Sequence, residues 1–125
     1  MQVKINTREK FHAITIFEPV LAANMTEELE NCLLPVLQKE VKNVVLILKD
    51  IQKVEDAAAE ALVKIQQAFY DNGNSMVICE LTPAVELSLE KSSLLEFMNV
   101  VPTESEAGDI VQMEEVEREL LNGEE

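Results

Sequence analysis

Three carboxylates, Glu55, Asp56 and Glu60, fall within six positions of one another and form the cluster that most invites a chemical reading. As a site for a hard cation they lack the ligand-rich, glycine-punctuated loop that calcium sites use. As a general acid–base pair they would need a pocket to hold a substrate, and no flanking motif supplies one. Two readings stay open together. Carboxylates in the first turn of a helix face the positive end of its dipole and contribute on the order of 0.3–1 kcal/mol each, and the same charges on a surface can meet a partner.

The remaining reactive side chains are sparse. His12 is the single histidine, and its place in an alternating run predicts a partly exposed strand position with no catalytic task. Cys32 and Cys79 have neither a Cys-x-x-Cys spacing nor a histidine nearby, which predicts reduced, buried small hydrophobes. Three glycines in the whole chain, with no Gly-x-Gly-x-x-Gly or Walker-type run, leave no backbone cradle for phosphates. No enzyme activity, cofactor or metal is expected from this inventory.

The carboxylate cluster has to be positioned by its neighbours. Val44-Val45-Leu46-Ile47-Leu48 is an apolar, β-branched run that predicts a strand buried on both faces, and the pattern changes to a helical period after Asp56. Ala58, Ala61, Leu62, Ile65 and Phe69 make one stripe of that helix, with Glu60, Lys64, Gln67 and Asp71 opposite. Asn72-Gly73 predicts its left-handed stop. A strand over Ser75 to Glu80 follows, and Thr82-Pro83 opens another helix with a capping hydroxyl and a proline at the first helical position.

Upstream, Val3 and Ile5 alternate with polar neighbours and Phe11 to Phe17 follow a charged turn, predicting a hairpin. Asn24, with Glu27 three positions on, predicts the cap of a helix whose stripe is Met25, Leu29, Cys32, Leu33 and Val36, shortened at Pro35. Downstream, a short strand is predicted around Phe97 to Val101. Thr103 and Glu106 then form a capping box for a final helix with the stripe Ile110, Met113, Val116 and Leu120.

A chain of 125 residues at 47% hydrophobic composition closes one core. Without repeat or linker it predicts a single α/β domain over residues 1–121, with 122–125 a frayed acidic end. The net charge of −14 makes nucleic acid phosphates and anionic membrane surfaces poor partners and a basic protein surface a good one. Residues 103–125 contribute −8 of it, which serves solubility as readily as binding. No apolar run approaches the ~18 residues of a membrane span and no signal-peptide layout opens the chain, so no direct membrane insertion and a cytoplasmic location are expected. Nothing in the pattern sets the oligomeric state.

The succession of strand, Val54-Glu55-Asp56-Ala57-Ala58-Ala59 loop and helix resembles the STAS domain (sulphate transporter and anti-sigma factor antagonist), whose loop usually reads Asp-Ser-Ser-Gly-Leu after a similar strand. Leu81-Thr82-Pro83-Ala84-Val85 is similar to the family's Val-Ser-Pro-Ala-Val. Asn72-Gly73 before Met76-Val77-Ile78-Cys79, Leu94-Leu95-Glu96-Phe97-Met98 and Leu21-Ala22-Ala23-Asn24 match further family segments. The resemblance implies a mixed sheet of about five strands, beginning with a β-hairpin, then alternating helices and strands, with a C-terminal helix.

It also implies a role for the loop. In anti-sigma factor antagonists the first Ser of Asp-Ser-Ser-Gly is phosphorylated by a partner kinase. Setting Val54 on the preceding hydrophobic residue puts Glu55 on the Asp, Asp56 on the phosphoacceptor, Ala57 on the second Ser and Ala58 on the Gly. No Ser or Thr lies between Leu48 and Gln67, so this position is degenerate and a kinase cannot switch it. By resemblance, Val54, Glu55, Asp56, Ala57, Ala58 and Glu60 bind a protein partner, an anti-sigma factor or serine-kinase-like switch protein with a basic face in a bacterial regulatory pathway. Alternatives of other classes are a soluble accessory subunit of a membrane transport complex and a domain that binds a nucleotide or other small ligand.

Overall fold

The computed structural model describes residues 1–122. Strands β1 (Val3–Thr7) and β2 (His12–Ile16) pair antiparallel as a hairpin, and β2 continues in parallel to β4 (Val44–Ile47), β6 (Met76–Cys79) and β7 (Val100–Val101). The five-stranded sheet thus runs β1-β2-β4-β6-β7, the mixed order expected. A second, two-stranded parallel sheet joins β3 (Val20–Leu21) to β5 (Lys53–Val54). Sequence periodicity did not predict this pair, since two residues carry no period.

Alternation along β4 divides the core. Val44, Leu46 and Leu48 face a large layer that also holds α1 (Thr26–Leu33), α2 (Asp56–Asp71) and α3 (Pro83–Lys91); Val45 and Ile47 face α4 (Glu104–Asn122). All four β4 residues are buried, as are Ala58, Ala61, Leu62, Ile65 and Phe69 of α2. Gly73, at φ +73°, ends α2 in the left-handed region as Asn72-Gly73 predicts. Thr82 Oγ1 accepts from Val85 N at 3.3 Å and Thr103 Oγ1 from Glu106 N at 3.1 Å, so both hydroxyl caps form.

Several local expectations are corrected. Asn24 is not the cap of α1: it lies inside a 3₁₀ turn, Ala23–Met25, and Met25 precedes the helix without a side-chain cap. The shortening expected at Pro35, by contrast, is observed: helix α1 stops at Leu33, with Pro35 inside a following 3₁₀ turn. Strand β6 ends at Cys79 because Glu80 takes φ 58° and cannot continue a pleat. Phe97 belongs to a 3₁₀ turn ahead of β7. His12 is buried, with Nε2 donating to the Val41 carbonyl and Nδ1 accepting from the Thr7 hydroxyl, both at 2.9 Å. Both ring nitrogens are thereby committed to the fold.

Helix α4 keeps only Ile110 of its predicted stripe against the core and turns the rest outward. Ala107 and Val111 are buried against the sheet, while Met113, Val116 and Leu120 are exposed. Small residues let the helix lie close, with Gly108 facing the ring of Phe11. Polar anchors complete the contact: Tyr70 Oη donates to Glu114 at 2.7 Å, Arg118 donates to Ser75 Oγ at 3.1 Å, and Lys10 lies 3.6 Å from Glu115. Helix α4 runs through Asn122, and the fraying expected beyond it, at residues 123–125, lies outside the described residues.

Candidate functional site

The Val54–Glu60 segment stands where the carboxyl end of the central strand meets the start of α2. After β4, Ile51 N donates to Leu48 O at 3.1 Å and closes a turn. The chain then runs against β3: Gln52 N donates to Pro19 O at 2.7 Å and Glu55 N to Leu21 O at 2.9 Å. The Thr82 hydroxyl donates to Ile51 O at 3.2 Å, tying the start of α3 to the same loop. Three chain segments therefore fix the point at which α2 begins.

Glu55 performs a task its position did not suggest. As the residue before α2 it would ordinarily cap that helix, yet no side-chain cap forms there. Its carboxylate instead accepts from Ala23 N at 2.8 Å, just past the carboxyl end of the neighbouring strand β3. The backbone N–H of Glu55 and its side chain together bracket Ala22. A residue count cannot find this contact, because it spans 32 positions of sequence.

The six predicted site residues separate into two sets. Val54 and Ala58 are buried in the core, and Glu55 is half-buried. Asp56, Ala57 and Glu60 are exposed, at the first, second and fifth positions of α2. Ala59 N makes the first intrahelical bond, to Glu55 O at 3.0 Å. The amides of Asp56, Ala57 and Ala58 therefore precede the helical ladder, at the positive end of the dipole. Among the described residues neither Asp56 nor Glu60 has a salt-bridge partner.

Chemically, the tip offers an unpaired carboxylate beside free helical amides. It can accept from a cationic or hydroxyl donor and donate to an acceptor within one small patch, which suits recognition. The described residues contain no grouping of His, Cys, Asp and Glu able to hold a metal ion. The cysteines are free, Cys79 buried and Cys32 half-buried, and burial pushes the Cys79 thiol up to about 12 and raises that of Cys32. Neither thiol has the depressed pKa of a nucleophile. No described helix is long and apolar enough to cross a membrane.

The family profile of the STAS domain matches residues 2–107. A search of curated protein sequences finds no match. Among solved structures, an anti-sigma factor antagonist from Mycobacterium paratuberculosis is similar at 12% identity and a TM-score of 0.75, over 89% of this chain and 93% of that one. RsbS of Moorella thermoacetica is similar at 18% identity and a TM-score of 0.73, over 90% and 96%. The murine Slc26a9 anion transporter is similar at 16% identity and a TM-score of 0.65, over 83% of this chain and 18% of the transporter.

Proposed function

Because this chain belongs to the STAS domain family, we propose that it is a non-catalytic regulatory domain of the anti-sigma factor antagonist kind, cytoplasmic, binding a protein partner through the tip of α2. The observation that carries the proposal is the exposure of Asp56 at the first position of α2; we align this position, by the resemblance, with the family's phosphorylated serine. A phosphoserine there would add about −1.5 to −2 charges and three acceptor oxygens. Asp56 supplies one charge and two oxygens, permanently. The domain is then a partner-binding module without a phosphorylation switch at this loop.

Partner contact falls on Asp56, Ala57 and Glu60, with Glu55 holding the loop and Val54 and Ala58 filling the core beneath. An overall charge of −14 favours a partner with a basic face. The STAS-like portion of the Slc26a9 transporter supports a second reading, an accessory subunit of a membrane transport complex. A nucleotide or other small ligand has the least support, since no glycine-rich loop lies near the tip.

Affinity capture from the native cell, with wild-type chain and Asp56→Lys as paired baits, tests the proposal. A switch kinase or anti-sigma factor retained by the wild type and lost by the variant is the expected result. A permease retained by both would favour the transport reading. Identical sets of proteins on the two baits would remove the tip of α2 from the binding surface.

A further inference from the structure

We propose that the outward face of α4 is a second docking surface, one that receives a basic amphipathic helix of another protein. Met113, Val116 and Leu120 are 57%, 47% and 64% exposed. At about 100° per residue, their spacing places them in one sector roughly 60° wide, opposite Ala107 and Val111, which face the sheet. The helix thus buries its small residues and shows its large apolar ones. A shallow groove along this side is lined by Asp109, Gln112, Met113, Val116 and Glu117.

The charges around the stripe select the occupant. Three other carboxylates of α4 are engaged: Glu104 with Arg8 at 3.6 Å, Glu114 with Tyr70 at 2.7 Å and Glu115 with Lys10 at 3.6 Å. Glu106, Asp109, Glu117 and Glu119 have no salt-bridge partner among the described residues. Helical geometry puts Glu106 and Glu117 along one edge of the stripe, Glu119 along the other and Asp109 at its head. The one cation of the helix, Arg118, is turned inward to Ser75. The outward face is therefore an apolar line with an uncompensated acidic rim.

A second copy of this chain would bring two such rims together, and an anionic bilayer would oppose the same charges, so both are disfavoured. A helix with its own apolar stripe flanked by Lys or Arg satisfies both components at once. From Met113 to Leu120 the apolar stripe is roughly 10 Å long, with Asp109 about one turn ahead of it, enough for about two turns of partner helix. This surface is separate from the tip of α2, and the two can be tested apart.

The probe is a synthetic helix of about 18 residues made of Leu and Lys, with Leu at one-face spacing and a single Trp. The chain has no Trp of its own, so the emission reports the peptide alone. At about 150 mM salt the peptide should bind and should perturb the methyl signal of Met113 while leaving that of Met76, in the core, unmoved. M113Q/V116Q/L120Q keeps every carboxylate and should weaken binding by about tenfold or more, which corresponds to about 1.4 kcal/mol. Asp56→Lys should leave it unchanged. A triple variant that binds as tightly as wild type, a scrambled peptide of the same composition that binds equally well, or an unmoved Met113 signal would overturn the proposal. So would a dimer of the chain alone, or binding to vesicles of anionic lipid, that the same triple substitution abolishes.

Discussion

Glu55 and Ala23, 32 positions apart, are joined by a hydrogen bond of 2.8 Å from the Ala23 amide to the Glu55 carboxylate. Through it the loop that starts α2 is locked to the turn that starts α1. The bond is exposed, so Glu55→Ala should cost only about 1 kcal/mol in urea unfolding. The sharper effect is local: the Ala23 amide should exchange faster with solvent, while amides of β4 keep their protection. Glu55→Gln retains an acceptor oxygen and should restore much of that protection. Equal exchange at Ala23 in all three proteins would show that the contact does not order the loop.

Tyr70 joins the two layers at the far end of α2, donating to Glu114 on α4 and accepting from Asn99 Nδ2, both at 2.7 Å. Burial, then the bond to Glu114, push its phenol up to about 12. The folded state therefore keeps a proton that the unfolded chain gives up near pH 10. The associated stability is fully present below pH 10 and is lost as the pH rises towards 12, on the order of 1 kcal/mol after allowance for the half-exposed ring. Cys79, likewise pushed up to about 12, adds a loss of the same sign. Tyr70→Phe should be less stable at pH 7 and should show a shallower decline between pH 10 and 12 than wild type. Parallel curves would remove the phenol from the linkage.

The two sides of α4 should respond oppositely to substitution. Ala107 and Val111 lie in the core with Ala13, Val45, Ile47, Val77 and Cys79. Val111→Asp should therefore cost several kcal/mol by leaving a charge beside that face. Met113→Gln, Val116→Gln or Leu120→Gln should each stay within about 0.5 kcal/mol, as expected of exposed positions. Thermal unfolding distinguishes the two, and a large loss at Met113 would return the predicted stripe to the core.

Modification tests the loop assignment. On the proposed alignment of Asp56 and Ala57 with the family's serine pair, incubation with a serine switch kinase and ATP should leave residues 54–60 without phosphate. Asp56→Ser supplies the missing hydroxyl while preserving a residue favoured at helix starts, and it is the variant in which phosphorylation should appear. Phosphate on the wild-type loop by mass spectrometry would contradict the alignment.

The parts legible in sequence were those set by local pattern. Val44–Leu48 and the Ala58-to-Phe69 stripe each repeat often enough to fix a period, and Thr82 and Thr103 announce helix starts by their own chemistry. What escaped depends on distant partners. Of the α4 stripe Ile110, Met113, Val116 and Leu120, Ile110 packs on the inner cluster while the other three face out, because Tyr70, Ser75 and Lys10 anchor polar residues on the inner face. His12 is buried because Thr7 and Val41 satisfy both nitrogens. Asn24 has no capping role because it lies inside the 3₁₀ turn Ala23–Met25 that precedes α1. At the site, periodicity placed Asp56 and Glu60 on a helix start, whereas the short β3–β5 pair that positions that start has no signature.

The central claim, that a protein partner docks on the tip of α2, is tested most directly by photocrosslinking in the native cell. A photoreactive residue at exposed Ala57 probes the tip, and one at exposed Lys42, just ahead of β4 at the other end of the sheet, serves as control. A protein adduct at Ala57 that is absent at Lys42, and that fades when Asp56→Lys is added, is the predicted result. An adduct of equal yield at both positions, or none at Ala57 under conditions where the partner co-purifies, would contradict it.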